Sequence, residues 1–232
     1  MLRVVFRSWF RGEVSGIENL PGTGAALVVA NHGGLFPLDA LMLSTAVHEE
    51  HPARRQLRVL AADLGFDLPG FGQLARKAGH TLACPADAAQ LLAAGELAAT
   101  FPEADKEPGK CFKDRYKLQR FGPGEVVSAA VRANAPIVPC SIAGSEEAYP
   151  MLANVKPLAR LLRLPYFPIT PLFPLAGPAG LLPLPTKWQI SFGRPIWPAD
   201  FGTTLELTDR VRETIQQTLS RLLCRRRNAF FG

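Results

Sequence analysis

Short apolar runs of β character alternate along the chain with segments whose apolar positions recur at helical spacing. GEVSGI and then AALVVA at 25–30 read as two strands, the second running into the Asn31-His32 pair. Helical composition follows over 37–47, QLRVLAA at 56–62 reads as the next strand, and a short helical stretch to Lys77 is closed by Gly79. HTLAC is a further strand. Asp87 suits the cap of a helix through Ala94, with Gly95 as its stop, before ELAATF forms a strand that reaches Pro102 and Glu103. Small and apolar residues over 124–133 predict a helix, and PIVPCSI from 136 is a strong β run. Pro139 lacks a ladder donor, which places that run at a sheet edge or makes Pro139 a strand end. The pattern closes with a short helix at 158–164, a strand over KWQISFG, and an amphipathic helix from about 207 to 227 with Leu207, Val211, Ile215, Leu219 and Leu222 near one face.

This alternation predicts an α/β fold, a single domain over 1–232 with a mixed, largely parallel sheet flanked by helices. Composition agrees: 232 residues with 47% hydrophobic and 20% charged side chains can bury a sizeable core and exclude a disordered chain. Twenty glycines and 21 prolines imply many loops and argue against a helical bundle. In folds of this kind reactive residues gather where strands end, so the segments after Ala30, Phe101 and Ile142 carry the most interest.

The formal charge of +6 favours an anionic partner such as a phosphate ligand, a lipid surface or nucleic acid. The four cysteines, at 84, 111, 140 and 224, lie far apart with no C-x-x-C pair, which suits buried thiols in a reducing compartment. Residues 1–10 alternate arginines with apolar side chains and lack the continuous apolar core of a secretory signal. The uncharged run at 164–185 is long enough to span a bilayer, but its seven prolines exclude an ordinary transmembrane helix.

Chemistry is concentrated in two segments. In NHGGLFPLD, residues 31–39, His32 and Asp39 bracket a glycine-containing loop at a strand end. A histidine can take a proton from an alcohol, and a carboxylate on its other nitrogen fixes the tautomer and stabilises the imidazolium. Gly33 and Gly34 let backbone approach a substrate and could offer N–H groups to an oxyanion. The same residues also suit a strand-end histidine with Asp39 as a helix cap. In TFPEADKEPGKCFKDRYKLQRFG, residues 100–122, Glu103 leaves a strand end and Lys110, Lys113, Arg115, Lys117 and Arg120 follow at close spacing. Such cations fit phosphate oxygens, or they form a solvated loop. No G-x-S-x-G elbow, G-x-G-x-x-G turn, Walker loop or H-E-x-x-H helix is present, so a histidine base would act on a substrate hydroxyl directly.

NHGGLFPLD, FPEA and IVPCSIAG, in this order, resemble the motifs of the glycerolipid acyltransferase family, the lysophosphatidic acid and lysophospholipid acyltransferase-like enzymes. The resemblance extends to RYKLQRFGPG, EEAYP, PYFPITPLFP, PLPTKW and SFGRPI, and so covers nearly the whole chain. It implies acyl transfer from acyl-CoA or acyl carrier protein to a hydroxyl of a glycerolipid or lysophospholipid, with no metal or other cofactor. It also implies a 1-acylglycerol-3-phosphate O-acyltransferase-like activity with His32 as base, Asp39 orienting it, Asn31, Gly33 and Gly34 at the substrate, and Glu103 holding the acceptor. Two departures stand out: six residues rather than four separate His32 from Asp39, and F-P-E-G reads FPEA with Ala104. A continuous helix over that interval would hold the pair roughly 10 Å apart, so a loop must bring them together. The arginine usual in the second motif is missing near HTLACPADAAQ, which passes phosphate binding to Lys110, Arg115 or Arg120.

The family works at membrane surfaces. Tyr166, Phe167, Phe173, Leu175, Leu181 and Leu182 of the proline-rich run then form an acyl-tunnel wall, a membrane-facing surface or ordinary core, while RVVFRSWFR and CRRRNAFFG mix arginines with aromatics as an anionic interface demands. The expected location is cytoplasmic, at the inner face of the membrane. Expected partners are the thioester donor, the lipid acceptor, the membrane and acyl carrier protein, and not nucleic acid, since no recognition motif accompanies the basic loops. The competing reading is a catalytically silent lipid- or acyl-thioester-binding protein, which gains if the His32 and Asp39 side chains do not meet.

Overall fold

The computed structural model describes residues 2–33, 38–61, 81–82, 85–103, 110–119, 121, 125–161 and 167–231. Nine strands occur among them: β1 (Glu13–Ser15), β2 (Ala26–Ala30), β3 (Leu57–Ala61), β4 (Thr81–Leu82), β5 (Leu97–Thr100), β6 (Ile137–Ala143), β7 (Ala153–Asn154), β8 (Pro168–Ile169) and β9 (Gln189–Phe192). Seven form one sheet in the order β1-β9-β6-β2-β5-β3-β4, and β7 pairs with β8 apart from it. The run β6-β2-β5-β3-β4 is parallel throughout, β9 is antiparallel to β6, and β1 is parallel to β9. A mixed, largely parallel sheet is the expected architecture.

Side chains of β2 are wholly buried, as befits a central parallel strand covered on both faces. Val28 joins one core with Met42, Leu43 and Val47 of helix α1 (Leu38–Glu50) and with Phe6, Phe10 and Trp188. Leu27 and Val29 point the other way, toward α2 (Pro85–Ala93), α3 (Glu125–Arg132) and the long C-terminal helix, as the two-residue period requires. Two short helices, α4 (Ser145–Ala148) and α5 (Lys156–Leu161), precede that last helix, α6 (Thr204–Arg225). Leu207, Val211, Ile215 and Leu219 of α6 are buried, each contributing about 1.5–3 kcal/mol relative to exposure.

Several boundaries move for local reasons. Helix α6 starts at Thr204, ahead of the expected 207, because Thr203 caps it by accepting from the Glu206 N–H (3.2 Å). Asp87 lies within the first turn of α2, one turn deeper than a cap. The expected helix ending at Lys77 lies outside the described residues.

Pro139 overturns its expected edge position, since β6 lies between β9 and β2 and is buried along its length. Its carbonyl accepts from Gly193 N (2.8 Å), on the side of β9. The missing N–H faces the same neighbour, just past Phe192 at the end of β9, so the proline forgoes one bond opposite Gly193, where regular pairing gives way to the isolated Ile137–Ile196 bridge.

Candidate active site

Because β2, β5 and β6 are adjacent and parallel, their carboxyl ends open on one edge of the sheet. His32 leaves β2, Glu103 leaves β5, and Ser145 and Glu146 leave β6 through Gly144. The three segments marked in the sequence thus meet.

The two side chains meet across the six-residue gap. His32 and Gly33 are non-helical, α1 begins at Leu38, and Asp39 sits in its first turn. His32 Nδ1 lies 2.9 Å from Asp39 Oδ2. The contact is an ion-pair approach whose N–H direction falls short of a straight hydrogen bond. The same carboxylate oxygen accepts from Gly33 N at 2.5 Å, which ties the loop to the helix. Gly33 N–H is therefore engaged by Asp39, not free for an oxyanion, and Gly34 lies outside the described residues. Asp39 is buried, while a fifth of the His32 side chain remains accessible. The Phe101 ring meets the imidazole edge-on, with centroids 5.8 Å apart.

Burial would push the imidazole pKa down, but the adjacent Asp39 carboxylate, with Glu103 and Glu146 further off, outweighs it and holds His32 above its ordinary value. Gly33 is compelled by its neighbour: a Cβ there would stand 2.3 Å from Ser145 Oγ. That hydroxyl is buried without a hydrogen-bond partner among the described residues.

Glu103 is buried and braces two backbones, accepting from His32 N (3.4 Å) and from Gln119 N (2.6 Å). Lys110 is not free for phosphate. Its Nζ lies 3.3 Å from Glu146 Oε2 and 3.9 Å from Glu103 Oε1, with only about a tenth of the side chain accessible. Arg115 is exposed, stacks 4.3 Å over the Phe112 ring and donates to Phe112 O. Arg120 lies outside the described residues.

Asn31 also differs from its expected place at the substrate. Fully buried, it donates to Ile142 O (3.0 Å) and accepts from Ile142 N (2.7 Å), joining β2 to β6. Asn31→Ala is expected to cost about 2–5 kcal/mol, since two buried backbone groups lose their partner. Urea unfolding checks this.

Sequence reasoning missed Glu146, Tyr116 and Arg226. Glu146 is buried, accepts from Tyr116 N (2.9 Å), and has its pKa pushed up to about 7 by burial, which Lys110 only partly offsets. Tyr116 receives Gly144 N on its hydroxyl (2.8 Å). Arg226, expected at a membrane interface, is instead a buried clamp bonded to Glu147 (2.6 Å), Lys187 O and Ala229 O. An acidic pair directly after a strong parallel strand was the one legible signal, at Glu146 and Glu147.

The model of the acyltransferase family matches residues 11–143, and the chain belongs to that family. An uncharacterized protein of Mycobacterium tuberculosis is 68% identical over 240 residues, covering all of this chain and 67% of that protein. One of Mycobacterium leprae is 66% identical, covering all of this chain and 65% of its own length. The human protein described as a DGAT1/2-independent enzyme synthesizing storage lipids is 24% identical, over 92% of this chain and 62% of its own. Among solved structures, the 1-acyl-sn-glycerophosphate (LPA) acyltransferase PlsC of Thermotoga maritima superposes with a TM-score of 0.63 at 20% identity, over 98% of this chain and 81% of that one. The likeness shows a shared fold.

Proposed function

We propose that the chain transfers a fatty acyl group from an acyl-CoA or acyl carrier protein thioester to a hydroxyl of a glycerolipid, with His32 as general base and Asp39 as its orienting carboxylate. The approach of Nδ1 to Asp39 at 2.9 Å carries this reading, because it leaves Nε2 as the nitrogen that meets substrate. Nε2 takes the acceptor's hydroxyl proton as the oxygen attacks the thioester carbonyl; the C–O bond forms, the C–S bond breaks, and the thiolate leaves with the proton from the imidazolium. The meeting of His32 and Asp39 disfavours the silent binding protein. Exposed Arg115 and Lys117 supply surface cations for the phosphates of a donor. Incubation of the protein with acyl-CoA and a panel of lysophospholipids and acylglycerols, following free thiol and ester together, tests the reading. Thiol release without ester would reduce it to a thioesterase, and release of neither would end it.

A peripheral membrane position is part of the same proposal. No helix among the described residues is long and apolar enough to cross a membrane. Trp9 Nε1 donates to Pro183 O, Arg11 to Pro185 O and Phe230 O, and Lys187 N to Ala229 O, so the N-terminal segment, the proline-rich run and residues 229–231 share one surface. Phe167 and Phe173 are half-buried and pack together at 5.4 Å, whereas Leu175 and Leu182 stand out, 91% and 65% exposed. Tyr166 lies outside the described residues. Leu184 N bonds to Ala148 O of α4, which holds this apolar surface one short helix from Glu146. Replacing both Leu175 and Leu182 by serine is expected to reduce flotation with anionic vesicles while leaving stability within about 0.5 kcal/mol. Unchanged flotation would refute the role of this surface.

A further inference from the structure

We propose that the Glu103–Lys110–Glu146 cluster beside His32 is an electrostatic filter on the acceptor, with Glu146 its determining residue, which admits uncharged hydroxyl lipids and rejects those bearing a phosphate monoester next to the hydroxyl. The inference rests on the acyltransferase reading and adds the acceptor's chemical class.

The acceptor hydroxyl must reach His32, and any group two or three bonds from it enters the same space. Asp39, Glu103 and Glu146 all bear on that space: Asp39 touches the imidazole, Glu103 holds the His32 backbone, and Ser145, the neighbour of Glu146, packs against Gly33. All three carboxyls are buried, so water screens them poorly. Lys110 is the described cation among them, and both of its carboxylate neighbours lie within 3.9 Å. A phosphate could recruit that lysine only by displacing a carboxylate. The described arginine of the surrounding loop, Arg115, is exposed and engaged with Phe112. Among the described residues, and with His32 neutral as a base must be, one cation stands against three carboxyls, an arrangement that repels a dianion and is indifferent to a glycerol hydroxyl. Glu146 has the greatest leverage, because it makes the closer contact to Lys110, 3.3 Å against 3.9 Å for Glu103, so removing its charge frees the lysine for a phosphate, whereas Glu103 also braces the His32 backbone and Asp39 holds the imidazole.

The test compares kcat/KM for monoacylglycerol and for lysophosphatidate of the same acyl chain, with one acyl-CoA donor. The uncharged acceptor is expected to lead by at least about ten-fold, the scale of one close charge interaction at a protein surface. In Glu146→Gln the ratio of phosphate to uncharged acceptor should rise several-fold, and Glu146→Asp should restore it toward wild type. A change in folding alone would lower both activities and leave the ratio still. Should Glu146→Gln fail to fold, the wild-type protein gives a second readout: lysophosphatidate added to the monoacylglycerol assay should inhibit only at concentrations well above the monoacylglycerol KM, because repulsion keeps it from the site, and inhibition at or below that KM would overturn the filter. Lysophosphatidate used as well as or better than monoacylglycerol would overturn the filter and leave the acyltransferase reading intact. A ratio unmoved by Glu146→Gln would remove Glu146 from the role. Acylation of neither acceptor, or of any other in the panel, would end both proposals.

Discussion

His32→Ala is expected to lose about 10²–10⁴-fold in kcat with the fold retained, the usual range for removing a general base. The fold should survive because His32 packs no core: a fifth of its side chain is accessible, and its backbone, which Glu103 holds, is unchanged by the substitution. Among the described neighbours, Lys110, Tyr116 and Ser145 do not replace it. Lys110 is engaged by two carboxylates, Tyr116 is buried with its pKa raised by desolvation, and the Ser145 hydroxyl is a poor base. Measurement of kcat alongside circular dichroism checks the expectation. Wild-type turnover by the variant would remove His32 from the mechanism.

Asp39→Asn is expected to lose almost as much, by a different route that a pH profile reveals. The carboxylate holds the imidazole so that Nε2 faces substrate, and an amide there favours the wrong tautomer or orientation. The sign of the pH effect follows from the same contact. In the wild type the carboxylates outweigh burial and raise the His32 pKa, so the base is protonated and silent on the acid side. The rate should therefore climb with pH through a point above the ordinary histidine value. Removing Asp39 takes away the nearest raising group and leaves burial to act, so the acid limb of kcat/KM should move to lower pH while its plateau falls. Stability runs the other way. A raised histidine pKa stabilises the folded state fully below the unfolded value, and this contribution fades as pH rises through the folded value. A plateau that falls with no movement of the acid limb would mean that Asp39 acts only on the loop, through Gly33 N.

Alternation of apolar runs with helical segments was enough to place the strands of the seven-stranded sheet and the three strand ends where the chemistry lies, because β and helical periods show within a few residues, whereas the two-residue strands β7 and β8 are too short to show a period. It was enough also to name His32, Asp39 and Glu103, since acid, base and glycine stand close together at those ends. The capping pair Thr203 and Glu206 was equally local, and would have set the start of α6. Closure of the His32–Asp39 gap depended on the bond between Gly33 N and the carboxylate, a contact that no spacing rule describes. Pro139 occupies a central strand because its missing donor falls at the end of β9, where a single bond is forgone, a property of β9 and not of the strand itself. Lys110 lies 36 residues from Glu146, and Arg226 lies 79 from Glu147. A cation in a sequence reads the same whether its partner is a ligand's phosphate, a buried carboxylate or water. Along the chain, local sterics and periodicity determined the elements and the reactive residue types; only the tertiary structure, by burying charges together, decided which cations remained free to meet a substrate.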